Sequence, residues 1–309
     1  MPLELYAKRL HTGAAPKLGY DECSCLHVNL TVGLSSSANG IAGGCTEPVL
    51  SVVIPTIGRP SELFKCITEL YSSASHLIHE VIVVLDGVDQ HDLDPGTPMD
   101  VRFVRVEKAG AASARNTGAL IASGKYLAFM DDDIVIGPRW AASVAAAVSS
   151  NLSIFTGPVL PLDSTVISRA RDVRYRRRYH GLSCRSPVSF FAGGNGIVNR
   201  ELFLSLGGFP LSNVGSDNLL VRDLINSADS CKFCWGMAVY HRNDRGILTA
   251  IRAAWRSGRS DAKVGQRLER PALNAPFAMF EIGPAIINIV LYGCKTTGWV
   301  IEGFVKVRQ

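Results

Sequence analysis

The sequence predicts an α/β fold in which a mostly parallel, mixed sheet carries helices on both faces. Three observations support this prediction: apolar segments alternate with helical ones from Leu50 onward, hydrophobic residues make up 47% of the chain, and polar residues follow several of the apolar segments. At about 150 residues per domain, the 309 residues amount to roughly two domains or to one large domain with extensions. The composition excludes a disordered chain, a coiled coil and a collagen-like repeat.

The first three strands differ in how strongly apolar they are. Leu50–Pro55 is a continuous run rich in β-branched residues, as expected for a buried parallel strand. Pro60 opens a helical stretch at Ser61–Ser73. Glu80–Gly87 is a second buried strand, whereas Val101–Glu107 alternates apolar and polar residues and therefore predicts a half-exposed third strand.

A helix, a strand and a second helix complete the first half. Ala111–Ser123 predicts a helix that Gly124 ends. Tyr126–Met130 is a fourth apolar strand that leads directly into three consecutive aspartates, and Pro138 begins a helix that reaches about Ser149. This alternation is typical of βαβ units, in which ligands lie beyond the carboxyl ends of the strands.

The second half of the sequence is more mixed. Its apolar runs predict strands at Ser153–Leu162, Ser189–Asn199 and Phe233–His241. Its helical patterns cover four segments, which are Arg200–Leu206, Asn218–Ser227, Ile247–Ser257 and Asp261–Leu268.

Patterning divides the chain into three parts. Residues 1–48 form a poorly patterned N-terminal extension, residues 49–265 form the folded domain, and residues 266–309 form a helical C-terminal extension. The N-terminus lacks the apolar stretch of a secretory signal. The uncharged run Ile282–Cys294 has 13 residues, fewer than the roughly 20 that span a bilayer. We expect this part to pack on the domain or to touch a membrane without crossing it.

Cysteine usage and charge favour a cytoplasmic protein. The eight cysteines show no disulfide framework, and Cys231 with Cys234 lacks the two further ligands of a structural zinc site, which favours buried core cysteines. The net charge of +5 does not imply nucleic acid, and none is expected as a partner. A basic cluster suits either a solvated helix face or peripheral contact with the anionic inner face of the cell membrane. It consists of Arg169, Arg171, Arg174, Arg176, Arg177, Arg178 and Arg185.

Polar side chains follow three of the predicted strands. Pro55 and Thr56 end the first, Asp86 ends the second, and Asp131–Asp133 follows the fourth. Because these ends meet at one edge of a parallel sheet, the residues converge there. Three carboxylates at a buried strand end repel each other unless a cation joins them, and oxygen ligands suit Mg²⁺ or Mn²⁺. The alternatives are a solvated acidic turn for the triplet and an Asp-Gly turn for Asp86.

The order of the motifs is more specific than any of them alone. SVVIPTIGRP is followed by VIVVLDG and then by GAASARNTGALIASGKYLAFMDDD. This succession resembles the family 2 glycosyltransferases of the GT-A fold, a Rossmann-like nucleotide-binding fold. The resemblance continues through Phe190–Pro210, VGSDNLLVRDL and VYHRNDRG, and it covers about Leu50 to Lys263.

The resemblance implies a metal-dependent inverting transferase that moves a sugar from a nucleotide-diphosphate donor to an acceptor hydroxyl. The acceptor would be a glycan, a lipid-linked sugar or a small molecule, as in cell-envelope or polysaccharide biosynthesis. Residues 49–265 would be the catalytic domain. The implied donor-binding residues are Pro55, Thr56, Arg59, Asp86, Arg115, Asn116, Asp131 and Asp132. The implied acceptor-side residues are Gly193, Gly194 and Asn195. The implied ligands of Mg²⁺ or Mn²⁺ are Asp131, Asp133 and His241, and Asp217 would be the general base.

Two positions depart from the family pattern. Leu85 stands where many relatives have a second Asp, and Ser216 replaces the usual Glu before Asp217. The second departure keeps a non-catalytic sugar-nucleotide or glycan-binding protein of the same fold as an alternative. A sugar-nucleotide pyrophosphorylase lacks support, because its Gly-rich signature does not follow LSVVIPT. A dinucleotide-binding dehydrogenase lacks it too, because no G-x-G-x-x-G follows Leu50–Pro55.

Overall fold

The computed structural model describes residues 48–89, 101–211, 216–222, 224, 227–241, 246–263 and 282–307. The predicted N-terminal extension therefore lies outside the described residues, apart from residue 48. The strands of the described residues are β1 (Leu50–Thr56), β2 (Ile78–Asp86), β3 (Val101–Val106), β4 (Tyr126–Met130), β5 (Ile134–Ile136), β6 (Ile154–Thr156), β7 (Val159–Pro161), β8 (Asn195–Asn199), β9 (Lys232–Phe233) and β10 (Val239–His241). Their α-helices are α1 (Pro60–Ala74), α2 (Ala111–Ile121), α3 (Trp140–Ser149), α4 (Val166–Tyr179), α5 (Arg200–Ser205), α6 (Ser216–Arg222), α7 (Gly246–Lys263) and α8 (Ile282–Val307).

Seven strands form the main sheet in the order β3-β2-β1-β4-β8-β6-β9. The first four strands in this order pair in parallel, β8 is antiparallel to both β4 and β6, and β9 is parallel to β6. The mostly parallel, mixed sheet predicted from the sequence is confirmed. β1 and β4 are buried along their whole length, as their continuous apolar runs predict.

Helices cover both faces of this sheet. Val52 and Ile54 point to one face, where they belong to the same buried cluster as Leu63 and Ile67 of α1. Val53 points to the other face and joins Ala114 of α2. Successive side chains of β1 thus pack into two hydrophobic layers, one on each face of the sheet. Polar groups are therefore found at the ends of the strands.

A second, three-stranded sheet in the order β5-β10-β7 corrects two predictions. Residues 153–162 and 233–241 were each expected to form one strand, but each forms two short strands that belong to different sheets. Gly157 lies between β6 and β7, and only a glycine fits there because a Cβ would lie 1.9 Å from the carbonyl oxygen of Met237. The third strand predicted in this half is also shorter than expected, since only Asn195–Asn199 is extended.

The C-terminal helices are longer than predicted. α7 runs unbroken from Gly246 to Lys263, where two helices were expected, and residues 264–268 lie outside the described residues. α8 packs on α7 and on α4. Among the described residues, no helix is both long enough and apolar enough to cross a membrane.

Cys231 and Cys234 are buried core residues, as predicted. Burial raises the pKa of the Cys231 thiol and raises that of Cys234 to about 12. Among the described residues, neither belongs to a group of three potential metal ligands. The pair therefore gives no support to a zinc site.

Candidate active site

The parallel order β2-β1-β4 brings the predicted polar positions to one edge. Asp86 ends β2, Thr56 ends β1, and Asp131–Asp133 follows β4, so three adjacent strands deliver their polar groups side by side. This convergence is what the strand pattern predicts for the carboxyl ends of parallel strands.

Asp132 is turned inward and is held by two donors. Its side chain is fully buried, and its Oδ2 atom accepts a hydrogen bond of 2.6 Å from Thr56 Oγ1 and one of 3.2 Å from Arg59 Nε. Arg59 also forms ion pairs with Asp132 and with Asp133 through its terminal nitrogens. Thr56 and the part-exposed Arg59 therefore hold the buried Asp132 beneath the acidic edge.

Burial and charge shift the pKa values of Asp132 and Arg59. Burial, together with the charges of Asp133 and Asp131, raises the pKa of Asp132, although the Thr56 hydrogen bond and the Arg59 charge oppose the shift. Burial lowers the pKa of Arg59, but the charges of Asp132 and Asp133 and their hydrogen bonds outweigh it and raise the pKa overall. Arg59 is thus the counter-ion of Asp132 and Asp133.

Asp131, Asp133 and His241 form the one group of potential metal ligands found among the described residues. One ligand atom from each lies within 4.8 Å of the others, and His241 Nε2 is 3.0 Å from Asp133 Oδ1. His241 is distant in sequence and arrives because β10 pairs antiparallel with β5, which sets His241 opposite Ile134. Two carboxylates and an imidazole fit a divalent ion such as Mn²⁺ or Mg²⁺.

Arg115 connects the acidic edge to α2. Its Nη2 atom donates to Asp131 Oδ1 at 2.6 Å, and its side chain is nearly buried. Asp131 is the more open partner, with 34% of its side chain exposed. The Ala-Arg-Asn motif thus places a fixed positive charge beside the candidate metal ligands.

A pair of glycines brings Asp217 close to these groups. Gly193 N donates to Asp217 Oδ2 at 3.1 Å, and a Cβ at Gly193 would lie 3.1 Å from Arg115 Nη1 and 3.4 Å from Asp217 Cβ. A Cβ at Gly194 would lie 2.4 Å from Asp131 Oδ2. The backbone of Gly193 and Gly194 is therefore in close range of both Asp217 and the Arg115–Asp131 pair.

Two other predicted site residues are held by the protein itself. Asp86 accepts hydrogen bonds from the backbone N–H groups of Ala109 and Gly110, just before α2. Asn116 exchanges two hydrogen bonds of 2.9 Å with the backbone of Phe209. In these contacts both side chains position backbone segments at the rim of the site.

Asn195 is buried and its amide is fully engaged. Its Nδ2 atom donates to the carbonyl oxygens of Pro158 and Met237, and its Oδ1 atom accepts from Trp140 Nε1. The structure thus gives Asn195 a positioning contact, whereas the adjacent glycines line the site. Pro55 lies within buried β1, where it precedes Thr56.

Sequence reasoning missed Asn218. Its Oδ1 atom accepts a hydrogen bond of 3.3 Å from Phe191 N, so Asp217 and Asn218 both hold the loop that carries the glycine pair. The available signal was an Asp-Asn pair at the start of a helix, where side-chain oxygens commonly accept backbone N–H groups.

Comparison with known proteins identifies the family. Residues 51–207, which are 157 of the 309 residues, match the family described as Glycosyl transferase family 2. The chain belongs to this family. The matched segment includes the acidic triplet, Arg115 and the glycine pair, whereas Asp217 and His241 lie beyond it.

Relatives of the chain include several named glycosyltransferases. A putative polypeptide N-acetylgalactosaminyltransferase 13 of Drosophila melanogaster is 28% identical over 214 residues, which cover 56% of this chain and 37% of the relative. The hyaluronan synthase of Pasteurella multocida is 34% identical over 104 residues, or 31% of this chain and 11% of the synthase. Glycosyltransferase AglE of Haloferax volcanii is 23% identical over 246 residues, with 76% and 79% covered. The chain spans well under half the length of the first two.

Solved structures share the fold. A mannosyltransferase from Pyrobaculum calidifontis, in complex with GDP-Man and Mn²⁺, superposes with a TM-score of 0.51 at 18% identity, covering 82% of this chain and 75% of that one. GalNAc-T7 with UDP, GalNAc and Mn²⁺ gives a TM-score of 0.52 at 15% identity, covering 84% and 57%. The GT-A fold expected from the motifs is confirmed.

Substitution of Gly194 by Ala is expected to disrupt the acidic edge. A methyl group there would lie 2.4 Å from Asp131 Oδ2, so Asp131 has to leave both Arg115 and the candidate metal group. We expect the Gly194→Ala protein to lose Mn²⁺ affinity in a titration, with a smaller change in melting temperature. Gly293→Ala is the matched control, because nothing lies within 4 Å of a Cβ at that position in α8. Wild-type Mn²⁺ affinity in Gly194→Ala would contradict this geometry.

Loss of the Arg59 counter-ion is expected to destabilise the fold in a pH-dependent manner. Arg59→Gln leaves the fully buried Asp132 without its cation. We expect the free energy of unfolding to fall by about 3 kcal/mol, which is the lower end of the range for breaking a buried ion pair, because Arg59 is part-exposed. The pKa of Asp132 is already raised, and a folded state with a raised carboxyl pKa loses stability as the pH rises through that pKa. The deficit should therefore be largest at neutral pH and shrink as the pH falls through the raised pKa of Asp132.

Two further variants make this test specific. Arg59→Lys keeps the charge without the planar fork and should be intermediate. Arg105→Gln breaks an exposed pair with Asp89 and should cost less than about 1 kcal/mol at any pH. Equal losses for Arg59→Gln and Arg105→Gln in urea titrations would show that Arg59 is not the counter-ion of Asp132.

Proposed function

We propose that this protein transfers a sugar from a nucleotide-diphosphate donor to an acceptor hydroxyl by a single, inverting displacement that depends on a divalent metal. The observation that carries the proposal is the arrangement around the glycine pair. Gly193 is in close range of both Arg115 and Asp217, and Gly194 is in close range of the candidate metal ligand Asp131, so the glycine pair brings the base candidate next to the candidate metal group. An inverting transfer needs such a pair of sites, one for the leaving diphosphate and one for a base.

Charged residues would bind the diphosphate of the donor. Asp131, Asp133 and His241 would hold Mg²⁺ or Mn²⁺ on the diphosphate, and the imidazole nitrogen makes Mn²⁺ the better match. The metal would stabilise the negative charge that the diphosphate gains when its bond to the anomeric carbon breaks. Arg115 adds a fixed positive charge at the same edge. The Mn²⁺ complexes of the two fold relatives, with GDP-Man and with UDP, support this assignment.

The nucleoside would lie at the ends of β1 and β2, near Thr56 and Asp86. Thr56 and Asp86 are both buried, and each already makes a hydrogen bond within the protein. A buried carboxylate with remaining acceptor capacity suits a base N–H group, and this is how the family resemblance assigns Asp86.

Asp217 would act as the base on the acceptor side. As the acceptor oxygen bonds to the anomeric carbon, the bond from that carbon to the diphosphate oxygen breaks, and the hydroxyl proton moves to Asp217. Its carboxylate accepts hydrogen bonds from the N–H groups of Gly193 and Asn218, which orient it at the start of α6.

For the acceptor and the cellular location, we propose only a general class. A hydroxyl-bearing glycan or a lipid-linked sugar suits the family, with Gly193 and Gly194 on the acceptor side. A place at the cytoplasmic face of a membrane, in cell-envelope or polysaccharide synthesis, is consistent with the basic helix α4.

A panel of nucleotide sugars tests the donor half of the proposal. Uridine, thymidine and guanosine diphosphate sugars are each added with Mn²⁺ or Mg²⁺, and the melting temperature is recorded. We expect one nucleotide class to raise the melting temperature only in the presence of metal. NMR of the product made from that donor should then show inversion at the anomeric carbon, and retention would refute the single displacement.

A further inference from the structure

Charge is distributed unevenly over the described helices. α4, α7 and α8 together contain 12 Lys and Arg residues and 3 Asp and Glu residues, which is 12 − 3 = +9, whereas the whole chain carries +5. The rest of the chain therefore carries 5 − 9 = −4. Because α8 packs on both α4 and α7, the positive charge is concentrated in one helical layer.

The charged side chains of α8 described by the structure face its partner helix. Lys295 Nζ lies 2.7 Å from Asp261 Oδ2, and Glu302 Oε2 accepts from Arg259 Nε at 2.6 Å. The hydrogen bond from Arg259 and the charges of Arg259 and Lys263 keep the pKa of Glu302 below its ordinary value. These pairs fix which side of α8 faces α7.

Two glycines, which have no Cβ, allow α7 and α8 to pack at close range. A Cβ at Gly258 of α7 would lie 1.8 Å from the carbonyl oxygen of Lys295, and one at Gly298 of α8 would lie 2.3 Å from that of Trp255. The backbones of α7 and α8 are therefore in direct contact. The opposite side of α8 is held outward by this packing.

That outward side is apolar along most of the helix. Its exposed large residues recur at helical spacing and are 40–55% exposed, and they are Ile286, Ile289, Val290, Val300, Ile301 and Val305. Gly293 and Thr297, both exposed, lie between them on the same face. From Ile286 to Val305 the stripe is about 28 Å long at 1.5 Å per residue. Exposed apolar stripes of this extent mark interaction sites.

We propose that this stripe, which we call the α8 face, docks the protein on a membrane leaflet that contains anionic lipid. An amphipathic helix lies in the interface with its apolar face among the acyl chains, and basic residues beside it attract anionic headgroups. The exposed arginines that could attract anionic headgroups are Arg252 and Arg256 on α7 and Arg177 and Arg178 on α4. The proposal goes beyond the sugar transfer and does not depend on it.

Charge decides against a second copy of the chain as the occupant. Two α8 faces packed together would bring two layers of +9 next to each other, and like charges at close range repel. An anionic leaflet supplies the complementary charge. Lying in the plane of the interface also agrees with the lack of any described helix that could cross a bilayer.

Flotation with lipid vesicles tests the proposal. Full-length protein is mixed with vesicles of phosphatidylcholine alone or of phosphatidylcholine with phosphatidylglycerol, at low and at high salt. We expect binding to the anionic vesicles at low salt, and weaker binding at high salt or without phosphatidylglycerol. Arg252→Gln with Arg256→Gln should weaken binding by about fivefold per arginine. Ile289→Asn with Val300→Asn should weaken it further, because apolar contact is lost.

Controls separate this surface from the fold and from the reaction. Leu120→Asn removes an even more exposed apolar side chain from α2 and should bind as wild type does. Asp217→Asn should also bind normally, so a failure of the transferase assignment leaves this result intact. Melting temperatures of the α8 variants should stay near wild type, since the substituted side chains are exposed. No flotation of wild type at low salt would overturn the proposal. So would a dimer, measured by light scattering, that the α8 variants abolish.

Discussion

Replacement of Asp133 by Asn is expected to abolish most of the activity while the protein stays folded. Asp133 is shared between the candidate metal group and Arg59, and the amide removes the charge that a divalent ion needs. Metal stabilisation of a leaving diphosphate is worth several kcal/mol, so turnover should fall by at least roughly a hundredfold. A Mn²⁺ titration should show weaker binding. The fold should survive, because Asp132 still pairs with Arg59.

Asp89→Asn provides the matched control for this variant. Asp89 is exposed and pairs with Arg105 on the surface, so the same chemical change there should leave turnover and Mn²⁺ affinity unaltered. Chelation of metal by EDTA should reproduce the Asp133→Asn effect in the wild-type enzyme. Full activity of Asp133→Asn, or of wild type in EDTA, contradicts the metal assignment.

Replacement of Asp217 by Asn is expected to lower turnover by about 10²–10⁴-fold with near-normal donor binding. The amide keeps one oxygen to accept a backbone N–H from Gly193 or Asn218, but it cannot take a proton from the acceptor. Asn serves at a helix N-terminus about as well as Asp, so the melting temperature should change little. Rapid-quench turnover, nucleotide affinity and thermal melting together measure the three effects.

A merely structural Asp217 gives the opposite pattern. If the residue only holds the glycine loop, Asn218→Ala should resemble Asp217→Asn, because Asn218 holds the same loop through Phe191 N. We expect instead that Asn218→Ala lowers stability modestly and keeps most of the turnover. If Asp217→Asn retains more than about a tenth of wild-type turnover, the base lies elsewhere, and Asp223 and Asp229, the next two carboxylates in the sequence, are the first to test.

Sequence patterns predicted the parts of the site that depend on local structure. β4 begins and ends at the residues expected from its apolar run, because a strand buried on both faces admits no polar side chain. Its end therefore places Asp131 at the sheet edge, and the ends of β1 and β2 place Thr56 and Asp86 beside it. Parallel pairing makes this convergence a consequence of the strand order.

The parts that could not be predicted depend on pairing between distant segments. The ion pairs of Arg59 with Asp132 and Asp133 join residues more than 70 positions apart, so no local pattern predicts them. The short strands β7 and β10 have too few residues for a local pattern, and they form because they pair with each other. Asn195 lies beside two glycines of the site, but the partners of its amide come from three other segments.

Product analysis with labelled sugar nucleotides tests the central claim most directly. The protein is incubated with a donor labelled in the sugar, Mn²⁺ and candidate glycan or lipid-linked acceptors, and the products are identified by mass spectrometry. We expect nucleoside diphosphate and sugar attached to the acceptor, with both lost in Asp217→Asn. Donor that binds but stays intact with every acceptor would identify a non-catalytic binding protein. Nucleoside triphosphate and sugar 1-phosphate formed on addition of pyrophosphate would identify a pyrophosphorylase, and either result would contradict the proposed transfer.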